Sequence, residues 1–175
     1  MESLISGIIL IGFSSILFIT SLIILELKRN KLKKLKAEKQ YLNKKINIWY
    51  MLILFLFTPS LLIVNIVLFT FAIINKDSSD FEVYKLIFNI FYMIYTIYIL
   101  ITLLIGQKLY KVMYIVKKEG VYYFLDNHQI ISSSITAINN TLRRDTLIIV
   151  YLINNQTDTY SLKYNWKLKD WFNEN

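Results

Sequence analysis

Residues 3–25 contain no ionisable side chain, whereas nine of the eighteen residues from 28 to 45 are Lys or Arg. This juxtaposition constrains the chain more than any other feature. The first segment is long enough to cross a bilayer as a helix, which takes about 20 apolar residues. The second resists transfer, because short basic loops stay on the inner side of a membrane. Met1-Glu2 is not a basic leader, and no small-residue cleavage site follows the apolar run. The first span therefore reads as a retained anchor rather than a signal peptide.

Two more apolar spans follow, over about 48–74 and 86–107. Trp49 and Tyr50 open the second, where amphipathic rings favour the interface. Pro59, the only proline in the chain, removes a backbone donor inside that span and predicts a kink. The 75–85 link carries Asp77, Asp80 and Glu82 against Lys76 and Lys85, while Lys108, Lys111, Lys117 and Lys118 follow the third span. All flanks agree on one topology, with the N-terminus outside, the 26–47 loop inside, the 75–85 link outside and the C-terminus cytoplasmic. The expected fold class is an integral membrane protein. Three transmembrane α-helices occupy residues 1–110, and a small β-rich cytoplasmic domain over 119–175 ends in an amphipathic helix. A hydrophobic fraction of 55% and a mean hydropathy of +0.45 fit that class.

The net charge of +8 could suggest nucleic acid, but nine of the twenty basic residues lie between 28 and 45. Such clustering belongs to a loop facing anionic lipid. Lys28, Arg29, Lys31, Lys33, Lys34 and Lys36 are the candidate headgroup contacts, and nucleic acid is set aside as a partner. Leu32, Leu35, Leu42 and Ile46 recur at helical spacing. The loop is thus expected to be helical, lying on the inner leaflet or extending the first two spans as a hairpin.

Composition changes at Glu119-Gly120, after which β-branched and aromatic residues come in short runs. Residues 120–125, 129–132, 135–138, 146–153 and 159–164 read as strands, with turns over 126–128 and 154–158. Asn165 is placed to cap a last helix, in which Leu168, Trp171 and Phe172 share one face.

The run Tyr122-Tyr123-Phe124-Leu125-Asp126-Asn127-His128-Gln129-Ile130-Ile131, the 147–152 hairpin strand and the 166–172 helix together resemble the PH-like domains of small bacterial multi-span membrane proteins. The resemblance covers about the last third of the chain. It implies a cytoplasmic binding or scaffolding tail. The PH-like fold has seven strands and this tail has room for four or five, which fits either a truncated relative or an unrelated meander. Ser133-Ser134 also stand where such tails often carry a Trp after the second strand.

Chemistry has few carriers here. The chain has no cysteine and one histidine. His128, beside Asp126 and Asn127, reads as a solvated turn residue. One histidine makes no His-based metal site without carboxylate partners, and Ser132, Ser133 and Ser134 stand at no known triad spacing. No catalytic residue, metal ligand or cofactor is expected. The spans carry no charge at depth, which argues against ion-coupled transport. They do carry a polar face. Tyr92, Tyr95 and Tyr98 recur every three residues in the third span, and Asn65 and Asn89 are the only amides at depth. A hydroxyl left unpaired in hydrocarbon costs a few kcal/mol. The tyrosines are therefore expected to face the bundle and bond to Asn65 or to another copy of the chain.

The resemblance implies a non-enzymatic membrane protein, and self-immunity against a membrane-active peptide is its most concrete form. An accessory subunit of a transporter or export complex is the alternative, and a membrane-anchored scaffold the second. The expected partners are the membrane, anionic headgroups, and a second copy or a transporter.

Overall fold

A computed structural model of the chain describes residues 2–154 and 156–174, which fall into two compact units. The first unit holds residues 2–23 and 48–105, and the second holds 24–47 and the segment from 106 onward.

Three stretches are helical, long and apolar enough to cross a membrane: Glu2–Lys33, Lys44–Ile74 and Phe81–Val112, with hydropathies of 2.7, 2.6 and 2.1. The first is helix α1 (Glu2–Lys33). The second comprises α2 (Lys44–Leu52), a π-helical turn over Ile53–Phe57, and α3 (Thr58–Ile74). The π turn is the local answer to Pro59. Proline offers no N–H to the preceding turn and clashes with its carbonyl. The ladder widens just before it, and the Thr58 N–H donates to the Ile53 carbonyl five residues back. The irregularity expected around Pro59 takes this form. The third stretch begins with α4 (Phe81–Leu109).

Within the helical unit, side chains pack in two layers. Leu4, Ala72 and Phe88 form one buried cluster, with Ile11, Leu68, Phe69 and Tyr92 against it. Phe18, Tyr95 and Ile99 form the other, with Leu61, Leu62 and Tyr98 against it. Most remaining apolar side chains of these helices are exposed, among them Ile9, Phe13, Phe55 and Leu104. An outward apolar surface of that kind is suited to lipid.

The second unit contains, among the described residues, seven strands in two antiparallel sheets. The first sheet runs in order β1 (Lys39–Leu42), β2 (Tyr114–Lys118), β3 (Val121–Phe124) and β4 (Gln129–Ile131). The second runs β5 (Ile135–Asn140), β6 (Thr146–Ile153) and β7 (Gln156–Lys163). Helix α5 (Trp166–Asn173) ends the chain, and the Asn165 side chain accepts from the Lys167 N–H as its cap.

Two strands depart from the sequence reading. Residues 34–43 are not an amphipathic helix. Helix α1 runs on to Lys33, the chain turns, and β1 pairs with β2 in the register Gln40↔Val116 and Leu42↔Tyr114. Leu32 and Tyr41 are buried, while Leu42 is exposed, so the helical spacing of the leucines does not mark one face. β2 begins at Tyr114, inside the basic flank of the third span and ahead of the expected tail boundary at 119. The loop between the first two spans is therefore part of the β unit.

Local turn chemistry builds the rest. Glu119 and Gly120 both take positive φ (51° and 71°), the type I′ geometry that joins β2 to β3. Asn127, at φ 69°, and the Asp126 carboxylate, which accepts the His128 N–H at 3.1 Å, make the β3–β4 turn. β6 alternates strictly, sending Leu147, Ile149 and Tyr151 inward. They meet Ile115, Tyr122, Phe124, Tyr160, Leu162 and the Leu168, Trp171 and Phe172 face of α5 in one core. Strand β7 starts at Gln156, three residues earlier than the sequence suggests. Asn155, in the expected turn before it, lies outside the described residues.

Candidate functional site

Three groups of polar side chains stand out, one in the helical unit and two in the β unit.

In the helices, Tyr95 is fully buried and its hydroxyl lies 2.8 Å from Ser15 Oγ. The Tyr98 hydroxyl lies 3.1 Å from Thr58 Oγ1. Thr58 is the residue at which the π turn ends, so the adjustment around Pro59 also sets the height of this contact. The Tyr92 ring packs on Phe88, with centroids 5.5 Å apart. The expected bond to Asn65 is not formed. Asn65 is buried and its Nδ2 donates instead to the Leu61 carbonyl of its own helix, at 2.8 Å. Asparagine four residues from a carbonyl on one helix can satisfy itself locally, which the spacing of the tyrosines cannot reveal. The Oδ1 atoms of Asn65 and Asn89 are buried and have no hydrogen-bond partner among the described residues. One small residue of α1, Gly7, lies in a close-packed seam against α4. A Cβ on Gly7 would stand 2.6 Å from Phe88 Cε1 and 2.7 Å from Tyr92 Cδ1, whereas Gly12 faces open space.

The basic segment divides. Lys31, Lys33, Lys34 and Lys36 are exposed, and Lys28 is half-buried. Arg29 turns inward, with its side chain only 14% exposed. Its guanidinium bonds Asn47 Oδ1 at 3.1 Å and Glu26 Oε1 at 3.4 Å. Arg29 thus joins α1 to the segment leading into α2, and is not a free headgroup contact in this arrangement. Lys39, in β1, closes the C-terminal end of α5. Its Nζ donates to the Trp171 and Glu174 carbonyls at 2.9 and 2.7 Å and lies 5.3 Å from the Trp171 ring centroid. A cation at that end of a helix meets its unpaired carbonyls and dipole.

The third group surrounds His128, which is half-buried rather than solvated. Its ring stacks on Tyr160, 4.4 Å between centroids and 3° from parallel. His128 Nε2 lies 2.9 Å from the Tyr151 hydroxyl, which donates to Asp158 Oδ2 at 3.0 Å. A phenol has one proton, so Nε2 is the donor in the first bond. Asp126 is the other hub. Its Oδ2 accepts from the Tyr160 hydroxyl at 2.8 Å and pairs with Lys111 Nζ at 3.3 Å. Burial pushes the Asp126 carboxyl up, but the Tyr160 hydroxyl, the His128 N–H and Lys111 together outweigh it and hold the group below the ordinary carboxylate range. The Tyr160 phenol moves up, first through burial and then through the adjoining carboxylate. The Ser134 hydroxyl donates to the Ile131 carbonyl at 2.8 Å. The sequence could not reveal this network, because Lys111, Asp126, His128, Tyr151, Asp158 and Tyr160 meet only through sheet register.

A scan against protein-family models, a search of curated proteins and a search of solved structures return no match.

Proposed function

We propose that this chain is a three-span protein of the cell membrane, with its N-terminus outside and its C-terminus in the cytoplasm. It carries a PH-like binding module and acts without catalysis, by engaging a partner at the membrane. Its most concrete role is self-immunity against a membrane-active peptide.

The observation that carries this reading is the make-up of the β unit. Seven antiparallel strands in sheets of four and three, with a C-terminal helix whose Leu168, Trp171 and Phe172 enter the core, supply the strand count that the tail alone lacks. The missing strands are β1, from the loop between the first two spans, and β2, from the flank of the third. Pairing of β1 with β2 also requires residues 39–42 and 114–118 to lie on one side of the membrane. Two crossings between them meet that requirement, in agreement with the basic flanks.

The alternative is an accessory subunit of a transporter or export complex, and a membrane-anchored scaffold comes after it. The accessory role draws support from β7, an eight-residue strand at the edge of its sheet, where a partner's strand can add.

Expression in a strain sensitive to a membrane-active peptide tests the first reading. Survival should rise, and should fall back when residues 114–175 are removed. Unchanged killing would remove immunity. Co-purification with a permease or ATPase, with killing unchanged, would establish the alternative in its place.

A further inference from the structure

The β5–β6 hairpin ends in a tip that the protein core does not explain. Leu142 is fully exposed, at 105%, and Arg143 and Arg144 beside it are exposed too. The tip is nonetheless tightly built. The Thr141 N–H donates to the Thr146 carbonyl at 3.0 Å, and the Arg144 N–H donates to the Thr141 carbonyl at 2.8 Å. Thr141 Oγ1 bonds Asp145 Oδ1 at 2.6 Å, tying back the one carboxylate of the turn. Arg144 takes a left-handed φ of 52°. The Tyr164 N–H donates to the Asp145 carbonyl at 2.9 Å, fixing the base of the tip to the chain beyond β7. Lys163 stands opposite Thr146 in the register, and Lys169 Nζ bonds Asn140 Oδ1 at 3.3 Å, so the neighbourhood is cationic.

A single exposed leucine is ordinary by itself, and here it is the company of two arginines that is informative. A leucine followed by two arginines suits a bilayer interface, where the apolar group enters the acyl boundary and the guanidiniums bind phosphates. Each cation held near an anionic surface is worth about a fivefold preference for it. The tip is already ordered by its own hydrogen bonds, so docking adds little ordering cost. We propose that this hairpin tip docks on an anionic phospholipid surface, with Leu142 inserted and Arg143 and Arg144 at the headgroups. The inference rests on the reading that the three long helices cross a membrane.

The chain has no cysteine, so Leu142→Cys can carry a single nitroxide in the full-length protein. The variant is placed one copy per nanodisc, in discs of phosphatidylcholine with or without phosphatidylglycerol. Collision with oxygen and with a water-soluble nickel complex is then read from the spin label. With phosphatidylglycerol, oxygen access should exceed nickel access. In phosphatidylcholine alone, or with Arg143→Gln and Arg144→Gln added, the order should reverse. A label equally open to nickel in every disc would overturn the proposal, as would lipid contact that ignores headgroup charge. Shielding from both reagents, whatever the lipid, would mean that protein covers the tip, and would overturn it as well. Recovery of the protein in the discs tests the spans independently of the tip.

Discussion

Single side chains set the tolerances of both units. Gly7 is the sharpest case, because the rings of Phe88 and Tyr92 occupy the space of a Cβ. Gly7→Ala should weaken packing of the helices by about 1–3 kcal/mol, as overpacking does. Gly12→Ala, in open space, should change nothing measurable. Unfolding in mixed micelles with increasing anionic detergent compares the two, and equal effects would contradict the seam. Gly7 and Gly12 both lie in α1, but which of them is crowded depends on the rotation of α1 against α4. The same rotation hid the partners of the tyrosines, Ser15 and Thr58 rather than Asn65. In the β unit, Asp126 has a carboxyl lowered below its ordinary range by Tyr160, the His128 N–H and Lys111, against burial. A group depressed on folding stabilises above its unfolded value, about 3.9 for Asp, and that contribution disappears as pH falls through the folded value. The stability gap between the wild type and Asp126→Asn should therefore shrink as pH falls below about 4. Thermal melts followed by the near-ultraviolet signal of the aromatic core would show it; a gap that widens on acidification would contradict the network.

At the level of elements, α5 and β6 could be read from the sequence and β1 could not. Helix α5 declares itself through the Asn165 cap and the spacing of Leu168, Trp171 and Phe172, and β6 through eight β-branched and aromatic-rich residues. Both signals are local. Strand β1, Lys-Gln-Tyr-Leu, has little strand propensity of its own and exists because β2 offers it a ladder. β2 was masked by its position, since its lysines also serve as the basic flank of a span. The joint between these elements is Trp171, whose ring lies 5.8 Å from Tyr41 and 5.6 Å from Tyr122. Trp171→Ala should cost about 3–5 kcal/mol. Lys39→Met, which removes the donor to the Trp171 and Glu174 carbonyls but keeps an apolar stem, should cost about 1 kcal/mol. Denaturant melts of the two variants rank these contributions, and a Lys39→Met loss as large as that of Trp171→Ala would contradict the assignment.

Across the whole molecule, chain order and spatial order disagree in an informative way. The spans and their basic flanks follow from composition alone, because the bilayer imposes a length and a charge rule on any sequence that crosses it. The β unit does not, since it is assembled from segments on either side of two spans. This interruption links the unit to the helices through both the loop and the tail, and it explains why the 57 residues of 119–175 considered by themselves look too few for the fold. The pairing of β1 with β2 is the contact on which that architecture depends. Gln40 and Val116 face each other in it, and Cα atoms of opposed antiparallel residues stand about 4.5–5.5 Å apart, within reach of a disulfide. In membranes containing the doubly substituted protein, Gln40→Cys with Val116→Cys, mild oxidation should form an intramolecular disulfide rapidly. The mismatched pair Gln40→Cys with Ile148→Cys should not. A bond that forms no faster in the first pair than in the second would contradict the shared β unit.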